Sequence, residues 1–310
     1  MMSLQRIHLR AHRRARISTA LRSIAVAMTL IAPAVVVLVA DPPAHPASGL
    51  TTAASDACGV RPAKSNGTLW SCTFDDDFSG TALDTTKWMP QTQFSSGTDA
   101  HRACYLNDPS TINEADGVLN LTLYRVASPV HCRWSRADKT ADFVSGSVMT
   151  YHLFSQQYGR FEARVKNTAA LVPGLQESFW LWPDNPYTTV AYPVSGEIDV
   201  AETYSYQPHL AIPFLHYAAD AAGPVPGLNT AWNCPAERGV WNTYTLIWSA
   251  TRIEIDINGR TCLVNNTGDV AFDKKFIMAL TQLIGVGGNE YDGRAPMPAT
   301  MSIDYVRVWK

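Results

Sequence analysis

The sequence predicts an all-β fold, a large sandwich of two antiparallel sheets, and three features carry that expectation. Apolar and polar residues alternate in VLNLTLYRV (118–126), GRFEARVKN (159–167), YTLIWSA (244–250), RIEIDING (252–259) and TMSIDYVRVW (300–309), the period of a half-buried strand. These runs are rich in Val, Ile, Thr, Tyr and Phe, which suit a pleated surface. Turn pairs separate them, among them Asp116-Gly117, Asn258-Gly259 and Gly287-Gly288. Asn-Gly between two short alternating runs is a strong hairpin signal. Outside the amino-terminal segment, no stretch longer than about ten residues holds the 3.6-residue spacing of an amphipathic helix.

The chain opens differently. Arg10, Arg13, Arg14, Arg16 and Arg22 precede an uncharged apolar run from Ile24 to Ala40, the basic and apolar regions of a secretory signal. We expect residues 1–40 to be a signal peptide that is removed, leaving a secreted protein with no membrane contact. A retained anchor is the competing reading, but the run is short for ~30 Å of hydrocarbon and contains Pro33. Residues 41–57 turn to Pro, Ala, Ser and Thr. They read as a flexible linker, with little apolar surface to offset their ordering entropy. Residues 58–310 are then one catalytic domain, within the size of a single all-β unit.

All six cysteines, Cys58, Cys72, Cys104, Cys132, Cys234 and Cys262, follow the signal. An even number in an exported chain favours disulfides, and we expect sequential pairing: 58 with 72, 104 with 132, 234 with 262. No CxxC pair exists, which argues against a thiolate zinc site. The net charge is −2 and the dense basic cluster is confined to the export segment, so there is no footprint for nucleic acid.

Chemistry concentrates in SGEIDVAETY (195–204). Glu197 and Asp199 are two apart and share one face of a strand. Glu202 would face away under strict alternation, but one extra residue at Val200-Ala201, a β-bulge, returns it. Two carboxyl groups about 5–5.5 Å apart are the arrangement of a retaining glycosidase. Glu197 reads as the ionised nucleophile and Asp199 as the neighbour that steadies it. Glu202 reads as the proton donor whose pKa is raised by crowding. Alternating acids are also often only a solvated face, as Glu254 and Asp256 read, and clustered carboxylates also hold calcium. The aromatic residues Phe179, Trp180, Trp182, Tyr187 and Tyr192 just upstream favour the sugar reading, because pyranose C–H faces stack on such rings. We expect Phe179 and Trp248 in the core, and Trp180 and Tyr192 in the cleft.

These residues belong to a longer pattern that resembles glycoside hydrolase family 16, in its bulged, laminarinase-like β-glucanase branch. SGEIDVAET looks like the active-site strand of that family. FDDDFSGTALDTTKW (74–88), DGVLNLTLYR (116–125), YGRFEARVK (158–166), FWLWP (179–183), HYAAD (216–220), NTYTLIW (242–248), GVGGN (285–289) and IDYVRVW (303–309) fall in the family's order. The resemblance implies a concanavalin A-like β-jelly roll with a cleft across its concave sheet. It implies Glu197 as nucleophile, Asp199 as assistant and Glu202 as acid/base. It brings His216 to the cleft near Glu202, to bond that acid or a sugar hydroxyl, and makes Tyr291 of GVGGNEYDG a substrate contact. It assigns Asp304 to a structural calcium site on the convex face, with no cofactor required for catalysis.

The pattern also departs from the family. Where many bulged members have Trp-Pro-Ala before the FW pair, this chain has Gln176-Glu177-Ser178, and Tyr192 stands where a Trp often precedes the proline. Stacking is kept or reduced and polarity is added, with Glu177 the most unusual residue. The expected activity is endo-hydrolysis of a β-linked polysaccharide, foremost a β-1,3-glucan, by a monomer. The alternatives are a galactan-type β-glycan, transfer of the glycosyl unit to a sugar acceptor, and a non-catalytic carbohydrate-binding protein on the same fold. Three intact acids speak against the last.

Overall fold

The computed structural model describes residues 53–310 apart from 134–138, 185–189 and 219–222. The expected signal peptide, most of the linker segment and Tyr187 lie outside the described residues.

Two sheets form the expected sandwich. The first has six strands in the spatial order Ile212–His216, Glu197–Tyr204, Leu175–Pro183, Phe276–Ile284, Ser147–Met149 and Met89–Pro90, all pairing antiparallel. The second has eleven strands. Nine form a path: Arg260–Asn265, Arg252–Ile257, Trp241–Ser249, Gly159–Lys166, Ala299–Trp309, Val118–His131, Thr140–Ser145, Arg102–Tyr105 and Ser95–Gly97. Cys72–Asp76 joins Ala299–Trp309, and Ile112–Ala115 joins Val118–His131. One pair departs from the antiparallel expectation, since Arg102–Tyr105 runs parallel to Thr140–Ser145. Parallel neighbours need a long crossover, and here the intervening chain supplies two further strands of the same sheet.

Alternation decides what enters the space between the sheets. In Gly159–Lys166, Phe161, Ala163 and Val165 are fully buried, while Arg160, Arg164 and Lys166 reach outward. Phe179, Leu181, Ile198 and Leu280 of the first sheet meet Tyr244, Trp248 and Ile303 of the second in one cluster. Each large apolar side chain withdrawn from water in this way contributes roughly 1.5–3 kcal/mol. Phe179 and Trp248 are core residues, as expected.

The hairpin at Asn258-Gly259 also forms as expected. Ile257 pairs with Arg260, and the two turn residues take φ of 54° and 73°, the left-handed pair that a two-residue type I′ turn demands. The folded unit begins earlier than composition indicates. Ser55–Asp56 pairs with Gly59–Val60, and the Asp56 carboxylate accepts from the backbone N–H of Cys72 at 2.9 Å, so these two residues are not linker. Cys58–Cys72 and Cys104–Cys132 are bonded. The third expected pair is not: Cys234 and Cys262 are free thiols whose side chains meet in a hydrogen bond. Among the described residues, no helix is long and apolar enough to cross a membrane.

Candidate active site

The site is built on Glu197–Tyr204, between Leu175–Pro183 and Ile212–His216. Toward the first neighbour, Asp199 pairs with Trp180 and Ala201 with Phe179, so Val200 has no partner. Toward the second, Asp199 pairs with Phe214 and Glu202 with Ile212. Two residues therefore oppose one, which is the expected bulge. Ile198, Val200 and Ala201 go into the core. Glu197, Asp199 and Glu202 remain close enough on the other face for their charges to act on one another.

His216 pairs directly across from Glu197. Its Nε2 lies 3.3 Å from Asp199 Oδ2, and its Nδ1 is 3.1 Å from the Tyr192 hydroxyl. Glu197, Asp199 and His216 each bring one polar atom within 4.8 Å of the others. His216 also lies near enough to Glu202 for their charges to act on each other, while its ion-pair contact is with Asp199. The partner of Glu202 is Gln176, whose Nε2 donates to Glu202 Oε1 at 2.7 Å. The Tyr204 hydroxyl also reaches Glu202.

Leu175–Pro183 presents alternate residues to the cleft, among them Gln176, Ser178, Trp180 and Trp182. The Trp180 indole donates to Thr281 Oγ1 at 3.0 Å, which fixes its ring on this face. Tyr192 is 48% exposed and stacks on Trp182 with ring centroids 5.8 Å apart. Trp182 links the two rings, standing 6.1 Å from Trp180 and 5.8 Å from Tyr192.

Three carboxyl groups so enclosed resist ionisation. Burial first, and then the neighbouring Asp199 charge, push Glu197 up to about 9. Burial raises Asp199 well above the carboxylate range, and Glu202 adds to it. Burial also raises Glu202, while the hydrogen bonds from Tyr204 and Gln176 and the charge of His216 pull the other way. Burial lowers His216 against the pull of Glu197 and Glu202. Burial and mutual repulsion therefore favour the neutral forms of these carboxyls in the unliganded site.

Three other residues singled out in the sequence have defined partners. Glu177 does not add polarity to the cleft. Alternation turns it inward, where it is 1% exposed and pairs with Arg238 Nη2 at 2.6 Å and accepts from Thr203 Oγ1 at 3.1 Å. The Tyr291 ring packs against His101 and Phe143 at 5.3 Å each, over Gly174, where any Cβ would come within 2.8 Å of it. Asp304 is not gathered with other acids. The register shifts beside it, with Arg164 opposite Tyr305 and Val165 opposite Ile303, and the extra residue turns to Arg164 Nη1 at 2.5 Å. Its charge is already matched by a guanidinium. No cluster of three or more side-chain metal ligands among the described residues includes it.

The sequence profile described as Glycosyl hydrolases family 16 matches residues 99–307. The chain belongs to this family. It is 28% identical over 265 residues to glucan endo-1,3-beta-glucosidase A1 of Niallia circulans, covering 76% of this chain and 37% of that protein. It is also 28% identical over 177 residues to keratan-sulfate endo-1,4-beta-galactosidase of Sphingobacterium multivorum, covering 54% and 40%. The chain thus spans about two fifths of the length of these relatives. Its fold matches the catalytic domain of an endo-1,3-beta-glucanase (laminarinase) from Thermotoga petrophila RKU-1, with TM-score 0.65 and 20% identity over 78% of this chain and 98% of that one.

Within this family-16 chain, sequence reading missed Tyr204 and the contact of Gln176. Counting by twos past the bulge, from Glu202 to Tyr204, is the signal that finds the first. The second needs the pairing of Gln176 with Tyr204 across the strands, which one sequence does not display.

Proposed function

We propose that this family-16 protein is an exported, monomeric endo-β-glycanase that cleaves β-1,3-glucan with retention of configuration. The observation that carries the reading is the bulge, which holds Glu197, Asp199 and Glu202 on one aromatic-lined face. The similarity to the glucan endo-1,3-beta-glucosidase of Niallia circulans supports the substrate.

In the first step the Glu197 carboxylate attacks the anomeric carbon and the bond to the leaving oxygen breaks. The Glu202 proton passes to that oxygen. In the second step water attacks the same carbon, Glu202 takes its proton, and Glu197 departs. The raised values of Glu197 and Asp199 require one proton between them. In the productive complex that proton rests on Asp199, which leaves Glu197 the anion and gives it a hydrogen-bond donor, with the His216 ring against Asp199.

A galactan-type substrate is the second reading. It is supported by the likeness to the Sphingobacterium galactosidase and by the polar Gln176 on the cleft face beside Glu202.

The test is hydrolysis of β-1,3-glucan, mixed-linkage glucan and β-galactans by the purified protein, with the product anomer followed by NMR. Glu197→Ala and Glu202→Ala should each abolish polysaccharide cleavage. An inverted product, or cleavage that survives either change, would refute the mechanism.

A further inference from the structure

The cleft continues past Glu202 in an aromatic surface that has no part in the triad. Tyr204 stands two residues beyond Glu202 on the same face, with its hydroxyl on that acid. Trp232 lies parallel to the Tyr204 ring within 6°, centroids 6.4 Å apart, and Tyr206 flanks Tyr204 at 5.9 Å. Trp232 is 42% exposed, yet its backbone is anchored on both sides. Thr230 bridges to Phe214, and the Cys234 carbonyl accepts from the Ala211 N–H at 3.0 Å. An indole held open to water on a fixed backbone beside a cleft is pre-organised to receive an apolar face.

The chemistry says which face. In a double displacement the nucleophile enters opposite the leaving group, and the acid sits at the leaving oxygen. The direction from Glu197 to Glu202 therefore points toward the leaving-group side of the glycan. Tyr204 and Trp232 lie further along it.

We propose that Trp232, backed by Tyr204, is a stacking platform for a pyranose ring on the leaving-group side of the acids. The same platform receives an acceptor sugar after the first step, so it sets the division of the glycosyl-enzyme between water and sugar. This inference rests on the roles proposed for Glu197 and Glu202.

The test compares wild type, Trp232→Ala and Trp232→Phe on β-1,3-linked gluco-oligosaccharides and on the matching β-glycosyl fluoride, whose leaving group is too small to reach the platform. In Trp232→Ala the ratio of kcat/KM for oligosaccharide to that for fluoride should fall about tenfold, the scale of one lost aromatic contact, and Trp232→Phe should restore most of it. With added oligosaccharide acceptor, the ratio of transfer to hydrolysis should fall as well. An unchanged substrate ratio, or an unchanged transfer ratio, overturns the platform while leaving the acids in place. Failure of wild type to release fluoride overturns the catalytic roles, and the platform with them.

Discussion

The Gln176 amide donates to Glu202 Oε1 across 2.7 Å, from the strand beside the acid's own. A donor to the ionised carboxylate favours that form, so Gln176 opposes the rise that burial imposes on Glu202. Activity needs Glu202 protonated and is lost as pH climbs through its pKa. Gln176→Leu removes the donor, raises that pKa, and should move the alkaline limb of kcat/KM upward by about one pH unit. An unmoved limb would assign the limb to another group.

Glu177 and Arg238 form an ion pair with side chains 0% and 1% exposed. Arg238 also donates to the Thr168 carbonyl at 2.9 Å. Removing one partner leaves an uncompensated buried charge, which costs about 3–5 kcal/mol. Arg238→Met should lose that much stability in denaturant titration. Glu177→Leu with Arg238→Met should recover most of it, since a paired charge and an apolar pair of like volume are often equivalent. A single variant within about 1 kcal/mol of wild type would contradict the pairing.

Glu177 also shows where sequence reading stops. Its unusual place in the family pattern was visible, but the direction of its side chain follows from strand register, and its partner is 61 residues away. The bulge, by contrast, was legible, because an acid five residues from Glu197 reaches its face only through an inserted residue. The strands with strict alternation were legible for the same local reason. Short pieces such as Ser95–Gly97 and Met89–Pro90 carry too few residues to show a period. The partners of His216 and Tyr291 depend on long-range pairing, which one sequence does not display.

Asp304 and Arg164 form a half-exposed pair on the outer sheet. Such pairs contribute roughly 0–1 kcal/mol, so Asp304→Asn should alter the melting temperature little. Because the guanidinium already occupies the carboxylate, calcium addition or chelation should shift the melts of wild type and Asp304→Asn equally. A calcium-dependent gain seen only in wild type would restore Asp304 as a ligand.

Glu197 makes the folded protein sensitive to pH in a defined direction. Its folded pKa is pushed up to about 9 from an ordinary value of 4.5. The folded state therefore binds this proton more tightly than the unfolded chain. The resulting stability is complete below 4.5 and is lost progressively as pH rises toward 9. Glu197→Gln keeps the shape and has no proton to lose. Its melting temperature should match wild type near pH 4 and exceed it at about pH 8. The excess should grow steadily between those limits. A constant offset at every pH would mean that the change acts through packing, and that burial does not hold the proton on this carboxyl.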